Sequence, residues 1–454
     1  MTTSEQRTDF LDEIPEPERQ RLQTETEIFV VQHASHHRPI ALVTSGGTAA
    51  DLEVNSVRCL DNFSTGLRGA ISVEQFLARG YAVIHLQREG SASPYARVLT
   101  TQLMGLKQAN FGLSAASFGR LFAAGDMEED TQDQLVQSVL SSEQYDPFMT
   151  DPNSPSSSNG QASSSSVNNG SKKRKNASSS TSSVELHRKI TNSSRLQSAI
   201  KERAAVLKEN RLLTISFRSV EEYLAKLQLC AQALQDSQSL AILYLAAAVS
   251  DFYIPKEERS EHKIQSADGS LTLQLQQVPK VMGLLRETWA PDAFLCSFKL
   301  ETDKQILRSK AERAVKKYGS HLVIGNLLHT RHSQVWMLAP EERIESDKAP
   351  PVEDWPLQEI SKPHDSEPDA LESLIVDFVV QSHFEYISTS GCFGKDGTDA
   401  AIKAHEELEE KRRQIQRDLF WGRVKSTAME WAGVAVGCFL SYAVSSALRK
   451  RMQI

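Results

Sequence analysis

Short apolar runs and stretches with helical spacing alternate along most of the chain. Residues Pro15 to Ala34 have helical spacing, with Leu22, Ile28 and Val31 set among charged neighbours. Pro39 to Val43 is a brief apolar run that ends in Gly46 and Gly47, which predicts a buried strand. Arg68 to Gly80 returns to helical spacing through Ile71, Val73, Phe76 and Leu77, and Gly80 is well placed as a C-terminal stop. Tyr81 to Leu86 predicts a second strand. Strand, loop, helix, strand is the opening of a βαβ unit.

The alternation resumes with a helix at Val220 to Leu234. Leu240 to Val249 is nearly all apolar and predicts a central strand. Leu271 to Val278 alternates through Leu271, Leu273 and Leu275, as a half-buried strand should. A helix at Val281 to Thr288, a strand at Ala293 to Leu300 and a helix at Lys304 to Tyr318 follow. Strands at His321 to Gly325 and Val335 to Leu338 complete the series. The pattern predicts an α/β fold: a Rossmann-like, mostly parallel sheet with helices on both faces. Pro340 to Pro368 reads as a charged, proline-bearing linker, and Leu371 to Tyr386 as an amphipathic helix that packs back on the sheet.

Two regions depart from this pattern. Residues from about 126 to 185 turn rich in Ser and Asn. Such a segment cannot bury enough apolar surface to offset its ordering entropy, so it predicts a disordered insertion. Inside it, Lys172 to Lys175 reads as a solvated basic cluster in preference to a nuclear-import signal, because short basic runs are poorly specific. Near the C-terminus, Thr398 to Leu419 predicts a charge-rich helix. Trp431 to Leu448 then holds 18 residues without a charge. At 1.5 Å per residue they span about 27 Å, near the hydrocarbon thickness of a bilayer. Gly433 and Gly437 form a GxxxG pair, and Arg449 to Arg451 are basic. This C-terminal hydrophobic helix is expected to anchor a cytoplasmic protein to a membrane; the alternative is an apolar helix docked on a partner. The chain thus divides into an N-terminal helical segment (1–37) and a Rossmann-like domain (38–340) carrying the insertion. A linker (341–370), a closing helix (371–387), a charged helical extension (388–428) and the hydrophobic tail (429–454) follow.

Composition narrows the function classes. Across 454 residues, 40% hydrophobic content is enough for a sizeable core. A net charge of -7 disfavours a general nucleic-acid binder. Cys59, Cys230, Cys296, Cys392 and Cys438 show no CxxC spacing, which fits neither a disulfide framework nor a zinc site and suits a reducing compartment. Met1 to Gln20 is polar and acidic, without the features of a signal or transit peptide.

Open α/β sheets bind ligands beyond the carboxyl ends of their strands, and four segments are candidates for such a site. In Thr44-Ser45-Gly46-Gly47-Thr48, two glycines let the backbone approach a phosphate, and the three hydroxyls can add donors. Alone, this is equally an ordinary tight turn. Asp61 to Ala70 shifts the balance, because it leads directly into a helix. Gly66 and Gly69 flank the helix start, and Ser64 and Thr65 suit its cap. Free N–H groups there favour an anion. Two such loops in one βαβ unit make a nucleotide cradle. The second strand ends in His85-Leu86-Gln87-Arg88, with no acidic residue and no GxGxxG before it. A dinucleotide site, and with it a nicotinamide oxidoreductase, is therefore disfavoured. In Ala246 to Phe252, small residues at a strand end leave room either for a ligand or for a close-packed helix. Asp251 there can orient a donor or help hold a metal. The fourth segment is His262-Lys263-Ile264, followed by Ser297 to Thr302 and Asn326. Lys263 alone would be a surface lysine by default.

Seven stretches, VTSGGT, RCLDNFSTGLRGA, YLAAAVSDFYIP, EHKIQS, VPKVMGLLRETWAP, SFKLETD and VIGNLL, resemble the eukaryotic phosphopantothenoylcysteine synthetases of coenzyme A biosynthesis. They fall in the family's order, from about Pro39 to Leu338, and the helix to Ile387 resembles the family's C-terminal end. The resemblance implies a ligase that joins 4′-phosphopantothenate to L-cysteine through an amide bond. The co-substrate is ATP in eukaryotic members and CTP in bacterial ones. The carboxylate is activated as an acyl nucleotidylate with loss of pyrophosphate, and magnesium is expected. By the same resemblance, Asn62 contacts the acyl nucleotidylate and Lys263 serves its formation. Gly46, Ser64, Gly66, Gly69, Phe298 and Asn326 line the nucleotide site. Ala247, Ala248 and Asp251 lie beside the substrate, and the metal ligands are unassigned. The resemblance further implies a homodimer in which part of one subunit covers the other's site. A competing class is a non-catalytic, membrane-tethered nucleotide-binding scaffold; the presence of both Asn62 and Lys263 argues against it.

Overall fold

Ile40–Ser45 form strand β1, and all of its residues are buried. Alternate side chains feed opposite cores: Ile40 and Leu42 join one hydrophobic cluster, Ala41 and Val43 the other. A strand apolar on both faces belongs at the centre of a sheet with helices on each side. The computed structural model describes residues 9–98, 193–265, 271–339, 351–364 and 366–390, with separate helical residues between 399 and 417.

The remaining strands are β2 (Ala49–Asp51), β3 (Cys59–Asp61), β4 (Ala82–Arg88), β5 (Leu212–Phe217), β6 (Ala241–Leu245) and β7 (Phe252–Tyr253). After these come β8 (Gln276–Gln277), β9 (Phe294–Glu301), β10 (Leu322–Leu327), β11 (Gln334–Leu338) and β12 (Leu357–Ser361). The main sheet has the order β12-β11-β10-β9-β6-β1-β4-β5. From β5 to β10 every pairing is parallel; β11 and β12 add an antiparallel edge. In chain order the six parallel strands run 3-2-1-4-5-6, the doubly wound arrangement. The expected α/β sheet is therefore present. Small hairpins β2–β3 and β7–β8 stand outside it.

Helices α1 (Glu16–Ala34), α2 (Leu67–Ala78), α3 (Ser194–Lys208), α4 (Val220–Ala233), α5 (Met282–Leu284, running on into the π-turn Leu285–Trp289), α6 (Lys304–Tyr318) and α7 (Ala370–Ser390) cover the sheet. Residues of α1, α4 and α5 with its π-turn share one cluster, and those of α2, α3 and α7 share the other. Helix α7 packs back as expected. Arg79, its side chain fully enclosed, reaches from the end of α2 to Asp377 (2.8 Å from Nε) and to Ser373 O (3.1 Å). Tyr81 Oη and His383 Nδ1 lie 2.8 Å apart, and His383 Nε2 lies 2.9 Å from Ser239 O.

Several expectations are corrected. In α1 the buried face is Leu22, Thr26, Phe29, Val30 and His33, while Ile28 and Val31 are 62% and 67% exposed. The half-buried strand expected over Leu271 to Val278 shrinks to β8; Leu271 is 51% exposed, because no core lies beneath the alternation. Part of the expected 341–370 linker is β12, which pairs with β11. Helix α3 and strand β5 precede the point where regular structure was expected to resume. Both β5 and β12 are edge strands with mixed burial, so their pattern is weak. The expected insertion at about 126–185 and the hydrophobic tail at 429–454 lie outside the described residues. Among the described residues no helix is long and apolar enough to cross a membrane.

Phe76 is fully buried and meets the rings of Tyr81 and Tyr244 at 5.2 and 5.3 Å between centroids. Phe76→Ala is expected to cost about 3–5 kcal/mol in urea unfolding, as full-size core truncations do. A loss below about 1 kcal/mol would show that α2 does not depend on this contact.

Candidate active site

The strand order reverses between β1 and β6, the place at the carboxyl edge where doubly wound sheets bind ligands. In this chain the loops leaving the two strands are laced together by backbone bonds into a floor. Gly47 and Ala248 form a parallel bridge, Ala248 N donates to Gly46 O (2.8 Å) and Thr48 N donates to Ala248 O (3.1 Å). Thr44 Oγ1 accepts from Ala247 N (3.1 Å), and Thr48 Oγ1 accepts from Ser250 N (2.9 Å). Thr44, Ser45 and Thr48 are all fully buried. Their hydroxyls were expected to face a phosphate; instead those of Thr44 and Thr48 hold the two loops together, and Ser45 Oγ lies 3.4 Å from Gly66 O. Ala246 to Val249 were expected at the end of the strand, but β6 stops at Leu245 and they form this second loop.

The glycines meet steric demands. Gly46 has a φ of 89°, and a Cβ there would lie 2.6 Å from Arg88 Cβ. A Cβ on Gly47 would lie 1.6 Å from Asn62 O. The Asn62 loop therefore rests directly on Gly47, and Asn62 N donates to Thr48 O (3.1 Å). Gly66 is the N-cap of α2 in the left-handed conformation, with a φ of 71°. The expected caps do not act as such: Ser64 and Thr65 hydroxyls lie 3.4 Å from the nearest amides, and α2 has no side-chain cap bond. A left-handed residue just before a helix strongly favours glycine, and this one turns the chain into α2. A Cβ on Gly69 would lie 2.2 Å from Ser45 Cβ, so the first turn of α2 sits close on the end of β1.

The next two strands bring Phe298 and Asn326 to the same edge. Phe298 is half-buried, edge-on to Tyr244 at 5.0 Å. Asn326 is buried at the end of β10; its Nδ2 lies 3.4 Å from Lys299 O, and its Oδ1 accepts from Arg68. Arg68, in the first turn of α2, also donates to Arg331 O and pairs with Glu372 (3.3 Å). Arg68 lies inside the stretch RCLDNFSTGLRGA, yet the sequence points to no role for it; its partners are some 260 to 300 residues away in the chain, and no local signal indicates them. Lys280 was missed likewise: it pairs with the exposed carboxylate of Asp251 at 3.0 Å. Lys299, half-buried beside them, is held below the ordinary lysine value by desolvation and by the charge of Lys280.

Lys263 is exposed, in a segment without helix or strand, and that segment docks along residues 53–58 between β2 and β3. β3 ends at Asp61, so the hairpin that leads into Asn62 also carries the Lys263 segment. Gly46, Asn62, Ser64, Gly66, Gly69, Ala247 and Ala248 thus gather at the β1/β6 edge, with Phe298 and Asn326 on the adjoining strands. Among the described residues no three His, Cys, Asp or Glu side chains cluster as metal ligands.

Comparison with known proteins identifies this site's family. Residues 176–349 match the model of the DNA/pantothenate metabolism flavoprotein C-terminal domain. The chain is 34% identical over 352 residues to phosphopantothenate–cysteine ligase 1 of Oryza sativa subsp. japonica, covering 77% of this chain and 83% of that one. It is 33% identical to phosphopantothenate–cysteine ligase of Homo sapiens, covering 69% and 80% respectively. A solved structure of a Cab2 mutant in complex with phosphopantothenate-cysteine superposes with a TM-score of 0.54 at 29% identity, covering 82% of this chain and 95% of that one. The sequence resemblance, the doubly wound sheet and the glycine loops at its reversal point agree: the chain belongs to the phosphopantothenate–cysteine ligase family.

Proposed function

We propose that the protein joins 4′-phosphopantothenate to L-cysteine, as an amide-forming ligase of coenzyme A biosynthesis, using ATP. The observation that carries this reading is the contact of Asn62 with Gly47 at the sheet's reversal point, within a chain about a third identical to several ligases of this name. An oxygen of the phosphopantothenate carboxylate attacks the α-phosphorus, the bond to pyrophosphate breaks, and an acyl adenylate forms. The cysteine amine then attacks the acyl carbon, AMP leaves, and the nitrogen sheds its proton. A non-catalytic scaffold is disfavoured, because the relatives are named as ligases.

Each part of the edge has a task in this scheme. The phosphates would meet the free backbone N–H groups at the start of α2, where an anion is favoured, and the glycines at 46, 66 and 69 let that turn pack close on the end of β1 and the loop after β4. Phe298 offers an aromatic face, and Asn326 is held in place by Arg68. Magnesium would travel on the phosphates, with Asp251 an exposed carboxylate close in sequence to Ala247 and Ala248, beside the substrate. Lys263 neutralises carboxylate and phosphate oxygens while the adenylate forms. Asn62 supplies both a donor and an acceptor without adding charge, which suits a step that must orient an acyl group against an amine. A dimer belongs to the same reading: Phe63 is 85% exposed next to Asn62, and Val54, Val57 and Leu67 are exposed nearby, an apolar surface that a second copy would cover.

Three outcomes are expected. Asn62→Asp folds and still releases pyrophosphate, but its cysteine-dependent amide formation falls by about 100-fold or more; product at the wild-type rate would remove Asn62 from the chemistry. Gly47→Ala, whose new methyl must push Asn62 aside, loses product formation while its far-ultraviolet dichroism stays native, and full activity would mean that the contact is dispensable. Light scattering of the full chain gives a dimer mass; a monomer retaining full activity at low concentration contradicts the dimer.

A further inference from the structure

The Lys263 segment has no regular structure, yet it is held on both sides of the lysine. Upstream, Val54 N donates to Ser260 O (2.9 Å), and Asn55 donates to Glu261 O from its backbone (3.2 Å) and from Nδ2 (3.0 Å). Downstream the grip is ionic. Glu53 is fully buried, and its carboxylate accepts from Arg58 N (3.0 Å), Arg58 Nε (2.9 Å), Val57 N (3.3 Å) and Ile264 N (3.4 Å). Arg58 Nη2 lies 2.7 Å from the same carboxylate and donates to Ile264 O at 2.6 Å. Ile264, the residue after Lys263, thus has its N–H on the anion and its C=O on the cation of one ion pair.

This ring keeps Glu53 charged. Desolvation raises its carboxyl, but the hydrogen bonds from Arg58, Ile264 and Val57 outweigh that and hold it below the ordinary value. The pair, with Glu53 buried and Arg58 partly exposed, is weak evidence for stability, because desolvation of the carboxylate consumes much of what the pair gains. What this pair does define is a place. The Lys263 ammonium has no hydrogen bond or ion pair among the described residues, and its side chain is a flexible stem, so its reach is set by where its backbone is rooted. β2 leads into Glu53 and Arg58 leads into β3 and Asn62, so the root of Lys263 is registered to the loop that rests on Gly47.

We propose that the Glu53–Arg58 pair is a positioning device that clasps Ile264 and so aims Lys263 at the carboxylate and phosphate being joined. The proposal rests on the role assigned to Lys263 above. It makes Glu53 a positioning residue for the first half-reaction, acting through the lysine and not on the substrate.

The test uses the full chain with ATP, 4′-phosphopantothenate and cysteine. It reads the rate of pyrophosphate release, the KM for ATP and amide hydrogen exchange over residues 260–265. Glu53→Gln is expected to slow release about 100-fold, the scale of a displacement of about 1 Å in a catalytic group. Its KM for ATP stays within about threefold, since the phosphate loops are untouched, and exchange at Ile264 rises. In a Lys263→Gln background the same substitution adds less than about twofold, because its effect passes through the lysine. Arg58→Lys keeps a cation opposite Glu53 but weakens the hold on Ile264 O; it gives an intermediate loss and decides the matter if Glu53→Gln does not fold. Wild-type release in the folded Glu53→Gln or Arg58→Lys protein overturns the proposal. So do losses in Glu53→Gln and Lys263→Gln that multiply in full. Slow Lys263→Gln beside normal Glu53→Gln overturns the positioning alone. Normal Lys263→Gln beside slow Glu53→Gln overturns the role of the lysine, and the positioning with it.

Discussion

The closeness of Gly47 to Asn62 is the constraint on which the carboxyl edge depends. A side chain at Gly47 would occupy the space of the Asn62 carbonyl, so the loop bearing Asn62 lies directly on the loop that leaves β1. The same short segment is bonded on its other side to Ala248. Three stretches, at positions 46–48, at 62 and, some 200 residues on, at 247–250, are thereby set in one register by backbone hydrogen bonds and a steric limit. Buried threonine hydroxyls complete the lacing. A floor of this kind is set by the protein's own contacts, with no ligand needed to assemble it, which suits a catalyst that works by positioning.

Two further arrangements extend from that floor. On one side Arg68 carries the order of the first turn of α2 to Asn326, Arg331 and Glu372, tying the start of that helix to β10 and to α7. On the other side the β2–β3 hairpin carries it through Glu53 and Arg58 to Ile264. The first turn of α2 and the Lys263 segment are held by different parts of the chain, and both are referred to the same loop. The two half-reactions use overlapping atoms of one substrate, so a common reference is mechanically sensible.

The central strands are legible in the sequence because a strand buried on both faces is a plain apolar run, as in β1 and β6. Helix α6 is equally legible: its spacing is regular, Asp303 caps its first turn at 2.8 and 3.1 Å, and Gly319 ends it at a φ of 62°. The edge strands β5 and β12 are not, because half of each faces solvent and the alternation fades. Leu271 to Val278 shows the converse, an alternation with no core beneath it. At the carboxyl edge, the glycines and the Asn62 loop are legible through motif resemblance, and the same resemblance singles out Lys263. Arg68, Lys280 and the Glu53–Arg58 pair are not. Their meaning lies in partners remote in sequence, and a glutamate five residues before an arginine looks like any surface charge until the chain folds around it. The threonines of the first loop mislead in the same way: a hydroxyl beside a glycine suggests a ligand contact, and only the neighbouring loop, after β6, reveals that its partner is the protein's own backbone.

The central claim is that the protein activates a carboxylate as an acyl nucleotidylate and passes it to an amine. The most direct measurement supplies 4′-phosphopantothenate bearing heavy oxygen in its carboxylate, with ATP and cysteine, and follows the label by mass spectrometry. The account predicts one heavy oxygen in AMP, none in pyrophosphate, and an amide product that keeps the other and forms only when cysteine is present. Label appearing in inorganic phosphate alongside ADP, or lost to water with none in AMP, would contradict it.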